Sequence, residues 1–536
     1  MANIKSLISC LVSRISCLVS CAFIMHYAFG QGLMDASKYA NTDILGTARY
    51  MSMAGSMGAL GGDPSAVLDN PAALGIYRSS ELSFTLNATP SVTLSTSPTN
   101  AVKQNDFFFN FNQLSYVMSL QTGRDHGYVS SNFSFTYNRL KDFHRQTSLA
   151  AQGTSSLTNM MADFSSGFYP SEIHEDNLYA PYLSILGYQG YLIDPMNPDS
   201  SFYTPYAYNT NRMAYSGEES GRIDEYNFSY AANVGHYLYI GAGIGLQTLN
   251  YQLISNSGEM YDNGASAILK NVFNSSGIGY NIRLGVIVRP VSWMRIGASF
   301  QTPTWYNMTD SYYAKIVGEG TSADYDYVEY SIPSRYDYEK YTNSDYRFHS
   351  PLKAQASVGF VIGKVALINI DYQYANNPGM RFKGEKSDYL FAEPEFVYEN
   401  NEIRQQSLAT HTIKAGAEFR IASQFSFRAG AAYRTPNLAS TASRTLLDNT
   451  TRTDMEVFAD KGMFYAAGGF GYRYNGFGID LTYAYSQQNQ AFSPYQQGAE
   501  LLGNGYYGVK NPIEQKHLAN IKTMRHNVVV TLLYKF

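Results

Sequence analysis

The chain is poor in the residues that support redox, metal and nucleophilic chemistry. Its three cysteines all lie within the first thirty of 536 residues, at Cys10, Cys17 and Cys21. Neither a HExxH zinc motif nor a G-x-S-x-G nucleophile motif occurs. Removal of the first thirty residues during export would therefore exclude disulfides, thiolate metal sites and cysteine nucleophiles together. We expect no metal, no cofactor and no catalytic residue.

Charge and long apolar runs are scarce as well. Charged residues make up 15% of the chain, the formal net charge is −4, and no basic run occurs. This balance gives no electrostatic basis for binding nucleic acid. After residue 30 no apolar stretch approaches the length of a membrane-spanning helix. The sequence therefore predicts a protein that crosses no membrane with helices.

Residues 1–30 are typical of a secretory signal peptide. Lys5 and Arg14 are basic, Ile15–Phe29 is apolar, and small residues stand before a cleavage point at Gln31. The apolar stretch is too short for a transmembrane anchor. The residues that end at Cys21 resemble a lipobox, so lipoprotein processing remains an alternative to cleavage before Gln31.

Residues 80–536 have the pattern of a membrane β-barrel. Tyrosine (47), phenylalanine (30) and glycine (44) are frequent, and apolar residues alternate with polar or small ones in Leu238–Thr248, Val365–Tyr374 and Phe477–Tyr485. Apolar-out and polar-in alternation is what a lipid-embedded strand requires, and such strands must close because a sheet edge cannot remain in hydrocarbon. We predict an all-β, transmembrane antiparallel barrel of about fourteen strands.

The connections between the predicted strands alternate between short and long. Short turns are expected on the periplasmic side together with both termini, and long loops outside the cell, as in barrels of the bacterial outer membrane. Within the first long loop, the apolar stretches Ser156–Phe164 and Tyr179–Ile193 should be exposed. They either form a capture groove or pack on other loops. The long loops are predicted at about 145–222, 307–350, 376–410 and 487–524.

Residues 31–79 are predicted to form a small plug in the barrel lumen. Gly61 and Gly62 give a flexible entry, and Asp63 followed by Pro64 is a helix cap with proline at the first helical position. A second cap of the same kind begins at Asn70 and Pro71, continues through Ala72, and ends at Gly75. Such a compact, small-residue segment before a barrel suits the inside of a tube.

This segment resembles the hatch of the FadL/TodX family of outer-membrane transport proteins. The match rests on Asn70, Pro71 and Ala72 within NPAALG, and it continues through Gly279–Tyr306. The sequence NRLKDF at Asn138–Phe143 is similar to the Bacteroidetes branch of that family. The resemblance implies a monomeric fourteen-stranded barrel with an N-terminal hatch. It also implies passive, cofactor-free uptake of hydrophobic molecules such as long-chain fatty acids or aromatic hydrocarbons.

Two rival functions remain open at this stage. A general porin would lack a plug, and a surface barrel for docking or secretion would lack an apolar ligand. The expected partners under the leading hypothesis are a hydrophobic small molecule and the lipid, lipopolysaccharide or detergent around the barrel.

Strand alternation predicts a set of charged side chains that face the lumen. Either they bind a ligand carboxylate, or they form a structural network that holds the hatch. Because charges inside barrels are ordinary, the structural interpretation is preferred. The predicted lumen charges are Arg283, Lys353, Asp371, Lys414, Glu418, Arg420, Arg428 and Asp480.

Overall fold

The computed structural model describes most of the chain after residue 30. The described ranges are 31–152, 156–177, 180–205, 210–321, 325–333, 342–384, 396–442, 446–447, 452–495, 499–502, 506–509 and 518–536. The predicted signal peptide and lipobox lie outside the described residues. Within the described ranges, no helix has the length and apolar character needed to cross a membrane.

Fourteen antiparallel strands form one closed sheet, as predicted. Each strand pairs with its neighbour in sequence, and the sheet closes because the first strand pairs with the last, with Glu81 opposite Lys535. The strands are β1 (Glu81–Thr96), β2 (Ala101–Gln121), β3 (Tyr128–Asp142 and Arg145–Gln152), β4 (Thr210–Val234), β5 (Leu238–Tyr261), β6 (Ser266–Val291), β7 (Met294–Gln301 and Trp305–Glu319), β8 (Thr342–His349 and Lys353–Ile362), β9 (Ala366–Ala375 and Arg381–Lys383), β10 (Thr410–Arg420), β11 (Phe425–Arg434), β12 (Val457–Tyr474), β13 (Phe477–Ser493) and β14 (Ala519–Lys535).

Apolar side chains cover the outside of this wall. In β5, Ile240, Ile244 and Leu246 are about half exposed, whereas the glycines between them face inward. Near the short turns, outward aromatic side chains pair across strands, with ring centroids 4.6 Å apart for Phe477 and Tyr534. An apolar outer surface bordered by aromatic side chains is typical of a barrel wall that contacts lipid.

The strands run further than the sequence pattern predicted. Parts of the expected loops at 145–222, 307–350 and 487–524 are strand, because β3 continues to Gln152, β7 to Glu319 and β13 to Ser493. The expected loop at 376–410 contains the end of β9 and a helix. These extensions carry polar residues on both faces, so they lack the alternation of a lipid-embedded strand. The extensions form nevertheless, because their backbones pair with the neighbouring strands.

The strand β2 contains a β-bulge. Phe111 lies opposite Leu86 and Gln113 lies opposite Thr85, which leaves Asn112 as an extra residue. Such a bulge shifts the inward and outward alternation by one residue. This explains why the apolar register of β2 slips between Phe111 and Leu114.

Residues 31–80 lie inside the barrel, and we call this segment the hatch. It contains two short α-helices, α1 (Leu33–Ala40) and α2 (Ala48–Ser52), and two 3-10 helices at Pro64–Leu68 and Pro71–Ile76. Both 3-10 helices begin at the caps expected from the sequence, at Asp63 and Asn70. Much of the core inside the barrel consists of fully buried hatch side chains, including Met51, Met53, Met57 and Ala72.

The wall carries glycine where the hatch backbone touches it. A β-carbon at Gly416 would lie 2.6 Å from the Met53 carbonyl oxygen, and one at Gly297 would lie 2.8 Å from the Gly58 carbonyl oxygen. No ordinary side chain fits at such distances. The hatch is therefore seated against a series of inward-facing glycines on six strands: Gly241, Gly285, Gly297, Gly359, Gly416 and Gly430.

A folded cap covers the long-loop end of the barrel. Helices α3 (Leu157–Ser165) and α4 (Tyr182–Gln189) pack on each other and on a short hairpin, Ile193–Pro195 with Tyr203–Pro205. Their apolar side chains are buried rather than exposed as predicted, because they also pack on inward residues of β5, β6 and β7. Over the described residues, the loop-packing alternative is the one observed. Tyr179 itself lies outside them.

We predict that Gly416→Val unseats the hatch but leaves the barrel folded. The added methyl groups collide with the Met53 backbone, and over-packing of this kind costs about 1–3 kcal/mol. Single-channel recording in planar bilayers should show frequent opening, while heat-modifiable gel mobility stays normal. Gly468→Val is the matched control, since a β-carbon there meets no atom closer than 3.7 Å. Equal conductance of the two variants would contradict the close fit.

Candidate functional site

Asn70 joins the hatch to itself and to the wall. Its side-chain oxygen accepts a hydrogen bond from the Ala72 N–H at 3.0 Å. Its side-chain amide donates to the carbonyl oxygens of Gly58 at 2.8 Å and Val286 at 3.3 Å. The Pro71 backbone that follows lies against Gly241 of β5. One side chain therefore caps a turn and ties it to β6.

Asp63 organises the first turn of the hatch in the same manner. Its carboxylate accepts hydrogen bonds from the Ser65 N–H at 2.9 Å and from the Thr47 hydroxyl at 2.7 Å. Burial raises the pKa of this carboxyl, although the nearby Arg49 acts in the opposite direction. Pro64 occupies the first helical position, as the sequence predicted. The cap is thus a buried acid held almost entirely by hydrogen bonds.

The three predicted hatch glycines have different surroundings. Gly61 and Gly62 adopt φ of +62° and +69°, which side-chain-bearing residues rarely do. The Gly62 carbonyl oxygen accepts a hydrogen bond from Arg49 at 2.6 Å. A β-carbon on Gly75 would lie 3.1 Å from the ring of Tyr239, so Gly75 serves a close approach to the wall.

Two sets of ion pairs connect the hatch to the lumen face of the wall. Lys414 donates to Asp69 at 3.0 Å, and Arg49 donates to Glu418 at 2.8 Å. Glu418 also accepts from Arg428 at 2.7 Å, and Arg428 donates to Asp480 at 2.7 Å. The second set is therefore a buried chain of alternating charge that begins on the hatch and ends on β13.

The remaining predicted charges have separate positions. Asp371 accepts a hydrogen bond from the Gly58 N–H of the hatch at 3.2 Å. Arg283 pairs with Glu225 within the wall, and the Lys353 ammonium donates to the Thr42 hydroxyl at 3.4 Å. Arg420 differs from the prediction because its side chain is exposed at the end of β10. Alternation gives the direction of a side chain but not its depth along the barrel.

Several important charges were missing from the sequence prediction. Arg49 and Asp69 lie in the irregular hatch, where no periodicity marks them. Arg452, in the long connection between β11 and β12, forms another buried ion pair with the hatch. Its guanidinium donates to Asp35 of α1 at 2.6 Å. Arg525 could have been found, because the alternation counted back from Phe536 places it on the same face as Asn527 and Thr531.

The wall separates between β2 and β3 on the long-loop side of the barrel. Their pairing ends at Gln113 opposite Asn138. The strand β3 then breaks at Phe143 and His144, and its outer arm pairs with β4. In the described wall, polar and aromatic contacts still bridge the gap: Arg139 donates to Asn110 at 2.5 Å, Gln104 donates to Ser148 at 2.9 Å, and the rings of Phe108 and His144 stack with centroids 5.3 Å apart.

A small cavity lies directly behind this separation. Its volume is about 20 Å³, which is room for a water molecule. Hatch residues Ile44 and Leu45, the wall aromatic Phe108, and the guanidinium of Arg525 all line it. Arg525 donates to Asp43 at 3.1 Å and to the carbonyl oxygens of Asp142 and His144 at 3.0 Å. One side chain thus connects the hatch to both sides of the break in β3.

Solved structures with the same architecture are outer-membrane channels. A FadL homologue from Pseudomonas aeruginosa is 12% identical, with 94% of this chain and all of that chain covered at a TM-score of 0.50. A deltaS2 mutant of the monoaromatic hydrocarbon channel TodX is 13% identical, with 91% and 99% covered at a TM-score of 0.50. No protein-family model and no curated protein sequence matches the chain. The chain therefore shares the fold of the FadL-type outer-membrane channels.

Proposed function

We propose that this protein takes up hydrophobic small molecules passively across the outer membrane through a plugged barrel. The seated hatch is the observation that carries the proposal, since it packs closely against glycines on six strands of the wall. A general porin needs a continuous aqueous lumen, and this lumen is filled by hatch side chains such as Met51, Met53 and Met57. Long-chain fatty acids and aromatic hydrocarbons are the ligand classes that suit such a barrel.

We propose two exits from the lumen: the separation between β2 and β3 leads to the lipid, and displacement of the hatch leads to the periplasm. The outer arm of β2 carries exposed Phe107 and Phe109 on its lipid face, and Phe108 on its inner face lines the cavity. A ligand that passes between Phe108 and His144 would move between the lipid face and a cavity whose lining is partly apolar, through Ile44, Leu45 and Met463. Widening of the gap requires that the Arg139–Asn110 and Gln104–Ser148 hydrogen bonds and the aromatic stack be lost.

We assign the short-turn end of the barrel to the periplasm and the capped end to the outside. The turns at one end are brief, such as Asn475-Gly476 between β12 and β13, whereas the other end carries helices α3 and α4. Asymmetry of this kind is the rule for outer-membrane barrels. Both described chain ends of the wall, Glu81 and Lys535, then lie on the periplasmic side.

The ion pairs of the hatch fit a plug that is held firmly but not permanently. Buried pairs specify one arrangement more than they stabilise it, since desolvation offsets much of their attraction. The Lys414–Asp69 pair and the Arg49–Glu418 pair both break when the hatch leaves its seat. We infer that they set the resting position of the hatch.

Bound ligand tests the proposal most directly. Mass spectrometry of an organic extract of the protein, purified in a detergent of known mass, should find an apolar molecule in stoichiometric amount. An extract of a general porin purified in parallel is the control. Liposomes that carry the protein should not swell in small sugars. Rapid swelling together with an empty extract would contradict a plugged, ligand-binding barrel.

Two substitutions of Asn70 distinguish its role as a turn cap from its role in binding the wall. Asn70→Ala removes both and should reduce ligand uptake severalfold, because a lost cap alone costs about 1 kcal/mol. Asn70→Asp keeps the acceptor for the Ala72 N–H but loses the donor to Gly58 and Val286, so uptake should be intermediate. Deletion of Gly61–Gly75 should impair uptake while the barrel stays folded. Normal uptake by all three variants would exclude the hatch from transport.

Lys414 and Asp69 provide a matched test of the resting position. Lys414→Met leaves the buried Asp69 without its cation, a change that costs about 3–5 kcal/mol in comparable sites. Single-channel recordings should then show opening bursts that the parent protein lacks. The double variant Lys414→Met with Asp69→Asn should close the channel again. Bursts of equal frequency in the double variant would argue that the pair does not hold the hatch.

A further inference from the structure

Basic side chains surround the short-turn mouth of the barrel. They continue the lumen-facing alternation of their strands, so they border the opening rather than the lipid. Arg78 joins them where the hatch leaves the lumen, and Lys364 stands in the turn between β8 and β9. The strand residues of this group are Arg289, Arg295, Arg420, Arg473 and Lys535.

Two of these cations are neutralised by acids of the wall. Lys535 pairs with Glu81 at 3.1 Å, and Arg473 pairs with Asp480 at 2.7 Å. The others form no ion pair with any residue that the structure describes. They are Arg78, Arg289, Arg295, Lys364 and Arg420. The mouth therefore carries an excess of positive charge in a protein whose overall charge is −4.

Three of the unpaired arginines lie at the edge of the hatch: Arg289 and Arg295 flank the turn between the paired strands β6 and β7, and Arg78 follows the last 3-10 helix of the hatch. Arg295 donates to the Leu60 carbonyl oxygen of the hatch at 2.7 Å, and its buried Nε atom has no hydrogen-bond partner in the described structure. Arg78 and Arg289 both act on it electrostatically as like charges. Like charges in a partly buried site repel one another unless an anion lies between them.

We propose that Arg78, Arg289 and Arg295 form a binding site for the carboxylate of a hydrophobic acid that leaves the barrel past the hatch. This inference rests on the proposed uptake function and narrows it to an ionised amphiphile rather than a neutral hydrocarbon. The site begins at Leu60, inside the lumen, and opens outward through Arg289 to Arg78. A headgroup on a single chain reaches Arg295, whereas a membrane surface or a folded protein does not.

The arrangement also gives the route a direction. Next to the hatch, the lumen cations Lys414, Arg49 and Arg428 are each paired with an acid. Lys353 donates instead to the Thr42 hydroxyl, whereas several cations without an ion pair in the described residues lie together from Arg295 outward. An acid that passes the hatch therefore gains attraction as it approaches the periplasm, and solvent ions at the mouth screen that attraction and allow release.

Trp293 provides a local reporter for this site. It lies in the turn between the strands that carry Arg289 and Arg295, where its ring stacks on Phe360 of β8 with centroids 6.2 Å apart. The chain has only one other tryptophan, Trp305. In the full-length Trp305→Phe protein, α-bromododecanoate should quench Trp293 at a concentration about tenfold lower than its neutral methyl ester, which corresponds to about 1.4 kcal/mol. Added salt should reduce the difference.

The variant R78Q/R289Q/R295Q should lose this preference for the acid. The double variant R78Q/R289Q keeps the contact between Arg295 and the hatch. It should still lose most of the preference for the acid, so it provides the test if the triple variant misfolds. The control K103Q/R212Q/K270Q removes the same charge near the other end and should behave as the parent. Equal quenching by acid and ester in the parent, or an unchanged preference in both mouth variants, would overturn the site.

Equilibrium dialysis with the same two probes separates this failure from failure of the proposed function. If both probes bind the parent protein but quench Trp293 equally, the mouth site is wrong and the uptake function stands. If neither probe binds anywhere on the parent protein, the uptake function itself fails.

Discussion

Contact between two backbones is the constraint on which this structure depends. The hatch backbone reaches the wall without intervening side chains at Gly241, Gly297, Gly416 and Gly430. Because the strands of a barrel are staggered, inward positions at one depth come from distant parts of the sequence. A single segment of fifty residues therefore constrains residue choice on six of the fourteen strands. The sequences of the hatch and of the barrel wall must therefore fit each other.

Polar interactions then decide where the hatch rests within this seat. Main-chain groups of the hatch are matched by wall side chains: the Ala48 N–H donates to Thr531 at 2.7 Å, and Thr482 donates to the Ala48 carbonyl oxygen at 2.6 Å. Tyr465 donates to the Met51 carbonyl oxygen at 2.9 Å. Such bonds are worth about 1 kcal/mol each when made, and more is lost when a buried partner is left unpaired. These hydrogen bonds fix the position of the hatch, whereas close packing provides most of the attraction between the hatch and the wall.

Periodicity and capping residues made most of the architecture predictable. The alternation in β5 identified a wall strand with Gly241 and Gly243 inside, and Asp63 and Asn70 marked the two capped turns of the hatch. Arg49 and Asp69 escaped prediction because an irregular segment gives no direction for its side chains. Arg420 continues the lumen-facing alternation but is exposed at the end of β10, since alternation does not give depth along the barrel. The apolar cap helices were expected to be exposed because their packing partners on β5, β6 and β7 lie far away in sequence.

The separation of β3 from β2 has a consequence for association between copies of the protein. Along its outer arm β2 pairs only with β1, within the described sheet, so its other side presents unpaired backbone donors and acceptors. An unpaired edge of this kind is a template for strand addition. Lys103 and Asp106 stand on this arm, and charged side chains on an edge discourage a foreign strand from pairing there. The same break that opens the wall therefore requires the arm to be protected against aggregation.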